Sequence, residues 1–100
     1  MIKHVVMFKL ITFESRAEKQ KILLEIKTRL EKLPTLISEI KNFEVGINFF
    51  DSATASDMVL ISDFETNDAL NQYRIHPEHV KFVDFFSTYK ADGTVVDYEY

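Results

Sequence analysis

The stretch "IKHVVMFKLI", residues 2–11, decides how this chain folds. Ile2, His4, Val6, Phe8 and Leu10 fall on one side of an extended backbone, and Lys3, Val5, Met7, Lys9 and Ile11 on the other, because successive strand side chains point to opposite faces. Both sides carry large apolar groups. A strand of this kind needs cover on two faces.

Working outward, Ser15 followed by Glu18 reads as a capping box, and Leu23, Ile26, Leu30 and Leu33 then recur at helical spacing until Pro34. The spacing predicts a helix over 16–33, followed by a turn-like or helical piece around "TLISEI". Phe43, Val45, Ile47 and Phe49 alternate with polar or small residues as a second strand, with Gly46 marking a bulge or bend. "DSATAS" is a hairpin loop, and "DMVLISDF" returns as a third strand with Met58, Leu60 and Phe64 on one face and Val59 and Ile61 on the other. Thr66 caps a short helix holding Ala69, Leu70 and Tyr73. Pro77 opens another, with Val80, Val83, Phe86 and Tyr89 as its inward stripe. "DG" at 92–93 turns the chain into a last strand, "TVVDYEY".

The order strand, helix, strand, strand, helix, strand gives an α+β, ferredoxin-like βαββαβ fold with a four-stranded antiparallel sheet. Its helices cover one sheet face. The other face is apolar as well, and a twofold homodimer with sheets packed face to face, closing an α/β barrel, is the simplest cover.

At 100 residues, with 46% hydrophobic residues and only two Gly and two Pro, the chain reads as a single globular domain over 1–100. The absence of cysteine excludes disulfides, thiolate zinc sites and a cysteine nucleophile, and fits a reducing compartment, so the expected location is cytoplasmic. No apolar run resembles a signal peptide or approaches the roughly 20 residues of a membrane span, so no membrane partner is expected. A net charge of −4 argues against nucleic acid as a partner. Two glycines leave no phosphate-cradling loop, and no serine has a nucleophile-elbow context.

The chain's three histidines carry what chemistry remains. In "HPEH", residues 76–79, His76 precedes a proline and sits at a helix junction, where its ring can cap the helix that Pro77 opens. His79 falls in the first helical turn, where the backbone dipole keeps the imidazole neutral and available as a base. Read blandly, the pair is a junction residue and a half-buried ring; read functionally, it lines a ligand site. The i, i+3 spacing suits metal poorly, even with His4 or Glu78 added, and no metal is expected. His4 shares the strand face of Ile2, Val6, Phe8 and Leu10, so it is a bonded core histidine or a cavity wall. Tyr73 poses the same choice: core aromatic, or phenol in a cleft.

"MIKHVVMFKL", "FEVGINF", "VLISDFETNDALNQY", "YRIHPEHVKFV" and "VVDYEY" together resemble the stress-responsive A/B barrel domain (Dabb) family, of the dimeric α+β barrel superfamily, over essentially the whole chain. The resemblance implies a homodimeric barrel. A few members are polyketide cyclases that work without a cofactor, and they are similar to this chain at His4, Tyr73 and His79. That analogy makes His79 the base, has Tyr73 hold a substrate oxygen and lets His4 position the pocket. Three functions follow as expectations. The first is a dimeric barrel binding a small apolar or aromatic molecule through His4, Tyr73, His79 and His76. The second is a cofactor-free enzyme, cyclase-like or monooxygenase-like, and the third a structural stress-related protein.

Overall fold

The computed structural model describes residues 1–100. Seven elements follow one another: β1 (Ile2–Leu10), α1 (Arg16–Leu36), β2 (Asn42–Ile47), β3 (Met58–Phe64), α2 (Asn67–Ile75), α3 (Pro77–Ser87) and β4 (Lys90–Glu99). The strands form one sheet in the order β2-β3-β1-β4, antiparallel throughout. This is the ferredoxin-like arrangement, its second helical segment broken into α2 and α3 at His76–Pro77.

The helices start where the caps place them. Ser15 Oγ accepts from the Glu18 amide at 3.1 Å, and Thr66 Oγ1 from the Ala69 amide at 3.1 Å. Each bond satisfies an amide that the first helical turn would otherwise leave unpaired. On α1 the stripe Leu23, Ile26, Leu30 and Leu33 is buried against the sheet, and Glu25 pairs with Arg29 on the solvent side. Phe8, Leu10, Val45, Met58, Leu60 and Phe64 face that stripe from the strands.

Several local expectations are corrected. First, α1 does not stop at Pro34 but runs to Leu36, because proline removes a single amide so close to the end. Bonding resumes beyond it, with the Ile37 amide donating to the Leu33 carbonyl at 2.8 Å and Ile37 fully buried. Second, β2 ends at Ile47, leaving Phe49 in the hairpin loop and almost fully exposed.

Third, Gly46 makes no bulge, since its register opposite β3 is unbroken. A Cβ there would lie 3.1 Å from Val59 Cγ1, so the glycine gives that side chain room. The irregularity falls elsewhere: Leu10 pairs with Lys90 and Lys9 with Asp92, which makes Ala91 the extra residue of a bulge. Asp92 and Gly93 are accordingly inside β4, and the turn into it lies at Thr88–Tyr89. Fourth, α3 turns Phe82 and Phe86 inward, with Phe85 and Tyr89 partly buried, whereas Val80 and Val83 are exposed. The Phe86 ring meets Phe8 edge-on at 4.7 Å and stacks on Phe82 at 5.3 Å between centroids.

β4 is one of the two edge strands, and all of its residues are exposed. On the sheet face away from the helices, Val5 stands between Ile61 and Val96 in one cross-strand row. Met7 and Tyr98 extend this apolar face and are nearly half exposed. No helix is long and apolar enough to cross a membrane.

Candidate functional site

Between the helix-side face of β1 and β4 and the helices α2 and α3 lies a cleft of about 390 Å³. Nine of its fourteen lining residues are hydrophobic, so the space favours an apolar occupant. Val6, Phe8 and Val95 form its sheet side, and Phe82, Val83 and Phe86 its α3 side. His4, Tyr73 and His79 all reach it, from β1, α2 and α3 in turn.

His4 is buried, and its Nδ1 lies 2.5 Å from Asp97 Oδ1. A carboxylate accepts, so Nδ1 carries the proton and donates. The second Asp97 oxygen takes a bond from Arg74 at 2.8 Å, and Arg74 also donates to Asn71 Oδ1 at 3.1 Å. The imidazole is thereby fixed in orientation by a carboxylate that is itself anchored to α2. Its Nε2 is left for whatever enters the cleft.

The Tyr73 ring is buried among Phe64 (5.0 Å between centroids), His79 (4.4 Å) and His4 (6.2 Å). Burial pushes the phenol well above its usual titration range, so it stays protonated and can only serve as a neutral donor or acceptor. No buried side-chain nitrogen or oxygen lacks a partner, and nothing in the chain bonds the Tyr73 hydroxyl, so that hydroxyl opens on the cleft.

His79 stands over the Tyr73 ring, half-buried, and its Nδ1 donates to the Arg74 carbonyl at 2.9 Å. Burial lowers its pKa from the ordinary histidine value and outweighs that hydrogen bond, which acts in the other direction. At neutral pH the ring is therefore uncharged, with Nε2 as the basic atom.

The geometry separates the sequence candidates. His4, Tyr73 and His79 converge on the cleft, while His76 does not line it. His76 caps α3, its Nδ1 accepting from the Glu78 amide at 3.1 Å. No three His, Cys, Asp or Glu side chains gather closely enough to hold a metal. Sequence reasoning missed Asp97 and Arg74. Asp97 was within reach of a register argument, since it faces His4 directly once β1 and β4 are paired. Arg74 carries no pattern signal and joins the network from the last turn of α2.

Among curated proteins, none matches the chain. Of solved structures, a dimeric ferredoxin-like protein of unknown function from Bacteroides fragilis NCTC 9343 is similar at 34% identity and a TM-score of 0.88, over 99% of this chain and 95% of that one. A dimeric ferredoxin-like protein of unknown function from Thermobifida fusca is similar at 24% identity and a TM-score of 0.81, over 99% and 90%. A hydroxynitrile lyase from Passiflora edulis shares the fold at 17% identity and a TM-score of 0.78, over 97% and 90%. The sequence model of the Stress responsive A/B Barrel Domain (Dabb) matches residues 2–100, and the chain belongs to that family.

Proposed function

We propose that the protein is a homodimer, joined by the outer faces of its sheets into a barrel, and that each protomer binds a small, mostly apolar molecule in the cleft between sheet and helices. The observation that carries the binding reading is the convergence of two imidazoles and one phenol on a cleft of about 390 Å³ that is otherwise apolar. Sites of this composition hold a ligand by its apolar body and orient it by a few polar contacts. The dimer reading rests on the uncovered row Ile61, Val5 and Val96, and it agrees with the dimeric state of the Bacteroides and Thermobifida relatives.

Titration of the labelled protein with aliphatic and aromatic compounds, followed by NMR, tests the binding reading. Shifts at Val6, Tyr73, His79 and Val95 that are lost together in His79→Ala support it; shifts scattered over the outer surface with no change in the cleft refute it.

A second reading, a cofactor-free acid–base reaction of the cyclase or monooxygenase kind, is favoured by one specific feature. Burial holds His79 as the free base beside a protonated Tyr73, a pairing suited to removing a proton while an oxygen is held. The Passiflora lyase shows that this fold accommodates catalysis, without indicating which reaction. Turnover of a bound compound that vanishes in His79→Ala while binding persists would select the enzyme over the binding module.

A further inference from the structure

The cleft is not electrically uniform along its length. On β1 it runs from His4 to Phe8, roughly 13 Å at about 3.3 Å per residue, and on α3 from His79 to Ser87, about 12 Å at 1.5 Å per residue. At the His4 end stand Tyr73, His79 and Arg74, with Asp97 behind them. At the Phe8 end stand Ser87 and Lys90. Between the two ends the walls are apolar.

Only two cations line the cleft, and they differ in what they already hold. Arg74 is occupied by Asp97 and Asn71. Lys3, Lys19, Lys41 and Lys81 elsewhere in the chain each have a carboxylate partner; Lys90 has none, nor do Lys9, Lys21, Lys27 and Lys32, but of these five only Lys90 lines the cleft. Its ammonium instead lies 5.9 Å from the centre of the Phe8 ring, folded back toward the cleft. Gly93 leaves room for this pose, since a Cβ there would come within 2.8 Å of Lys90 Cε and 3.2 Å of its Nζ. The bulge at Ala91 lies between the two residues, and Lys90 stands as one unpaired positive charge at one end of an apolar slot.

Accepting the cleft as a binding site, we infer that it selects an anion: a monocarboxylate with an apolar body about 12 Å long, its carboxylate on Lys90 and its far end among His4, Tyr73 and His79. The reverse orientation sets a carboxylate against Asp97, with Arg74 already neutralised. Lys90 is then the residue that determines specificity, and the histidine end reads whatever oxygen the far end carries.

The test uses the full-length protein in solution with n-decanoate and n-decanol as matched probes, measured by calorimetry and NMR. Decanoate is expected to bind more tightly than decanol and to shift Ser87 and Lys90. Lys90→Gln should weaken decanoate about two- to fivefold and leave decanol unchanged, with Lys90→Arg retaining most of the preference. Equal affinity for acid and alcohol, unaltered by Lys90→Gln, overturns the anion selection while the cleft reading stands. Decanoate shifts centred on Arg74 overturn the orientation. If neither compound perturbs the cleft, both readings fall together.

Discussion

His4 and Asp97 are direct partners across the β1–β4 ladder, and their side chains meet at 2.5 Å on the face that looks into the cleft. The pairing joins the two ends of the chain and makes a buried imidazole affordable to the fold, since a ring nitrogen without a partner costs about 1–3 kcal/mol. Arg74 holds the other oxygen of the same carboxylate from a more exposed position. Asp97→Ala is therefore expected to cost about 1–3 kcal/mol, and Arg74→Ala less than about 1 kcal/mol. Urea denaturation of the two variants measures the difference. Equal losses would mean that the carboxylate does not hold the imidazole.

The His79 ring gives stability a pH dependence of definite sign. Burial lowers its folded-state pKa below the unfolded value of 6.5, so the unfolded chain binds the proton more readily. The contribution is complete above pH 6.5, declines as the pH falls below it, and is gone once the pH passes the folded-state midpoint. His79→Gln should flatten this part of the stability curve below pH 6.5. Chemical denaturation at a series of pH values provides the comparison, and an unchanged slope in the variant would assign the dependence to another group.

Tyr73→Phe separates fold from site. The ring is packed on Phe64, Phe43 and both cleft histidines, and phenylalanine keeps those contacts. The hydroxyl bonds to nothing in the chain, so its removal should change stability by less than about 1 kcal/mol. Ligand affinity, or turnover if the cleft is catalytic, should fall about five- to tenfold, the usual worth of one hydrogen bond. Thermal melts with calorimetric titration test both halves; a large loss of stability would place the hydroxyl in a structural role.

Strand and helix positions were legible in the sequence wherever one physical rule acted alone. Alternation set β1 and β3, the Ser15 and Thr66 caps set two helix starts, and the Leu23 to Leu33 stripe set the buried face of α1. Reading failed where two rules competed. Pro34 normally stops a helix, but the buried anchors Leu33 and Ile37 carry α1 past it. Asp-Gly normally turns the chain, but residues 92–93 are held straight by pairing with Lys9 and Phe8. The spacing that groups Val80 and Val83 with Phe86 is as regular as the one that groups Phe82 with it, and only packing decides: Phe82 is buried while both valines stay exposed. For the cleft, residue type pointed to His4, Tyr73 and His79, whereas Asp97 and Lys90 emerge only from the β4 register and its bulge.

The outer sheet face sets the last prediction. Val96 is more than half exposed in the isolated protomer, beside Val5 and Ile61, and Met7 and Tyr98 continue the patch. Such a face on a small protein is costly to leave in water, and a second copy offers a surface of the same composition. Sedimentation should give twice the chain mass for the native protein. Val96→Lys should give the single mass, with the helical signal retained, because the substitution lies outside the α1–sheet core. Because dimerisation favours the folded state by mass action, the native melting temperature should also fall on dilution, whereas that of Val96→Lys should not. A native protein that sediments at the single mass, with a melting temperature independent of concentration, would remove the barrel and leave one protomer's cleft as the whole of the site.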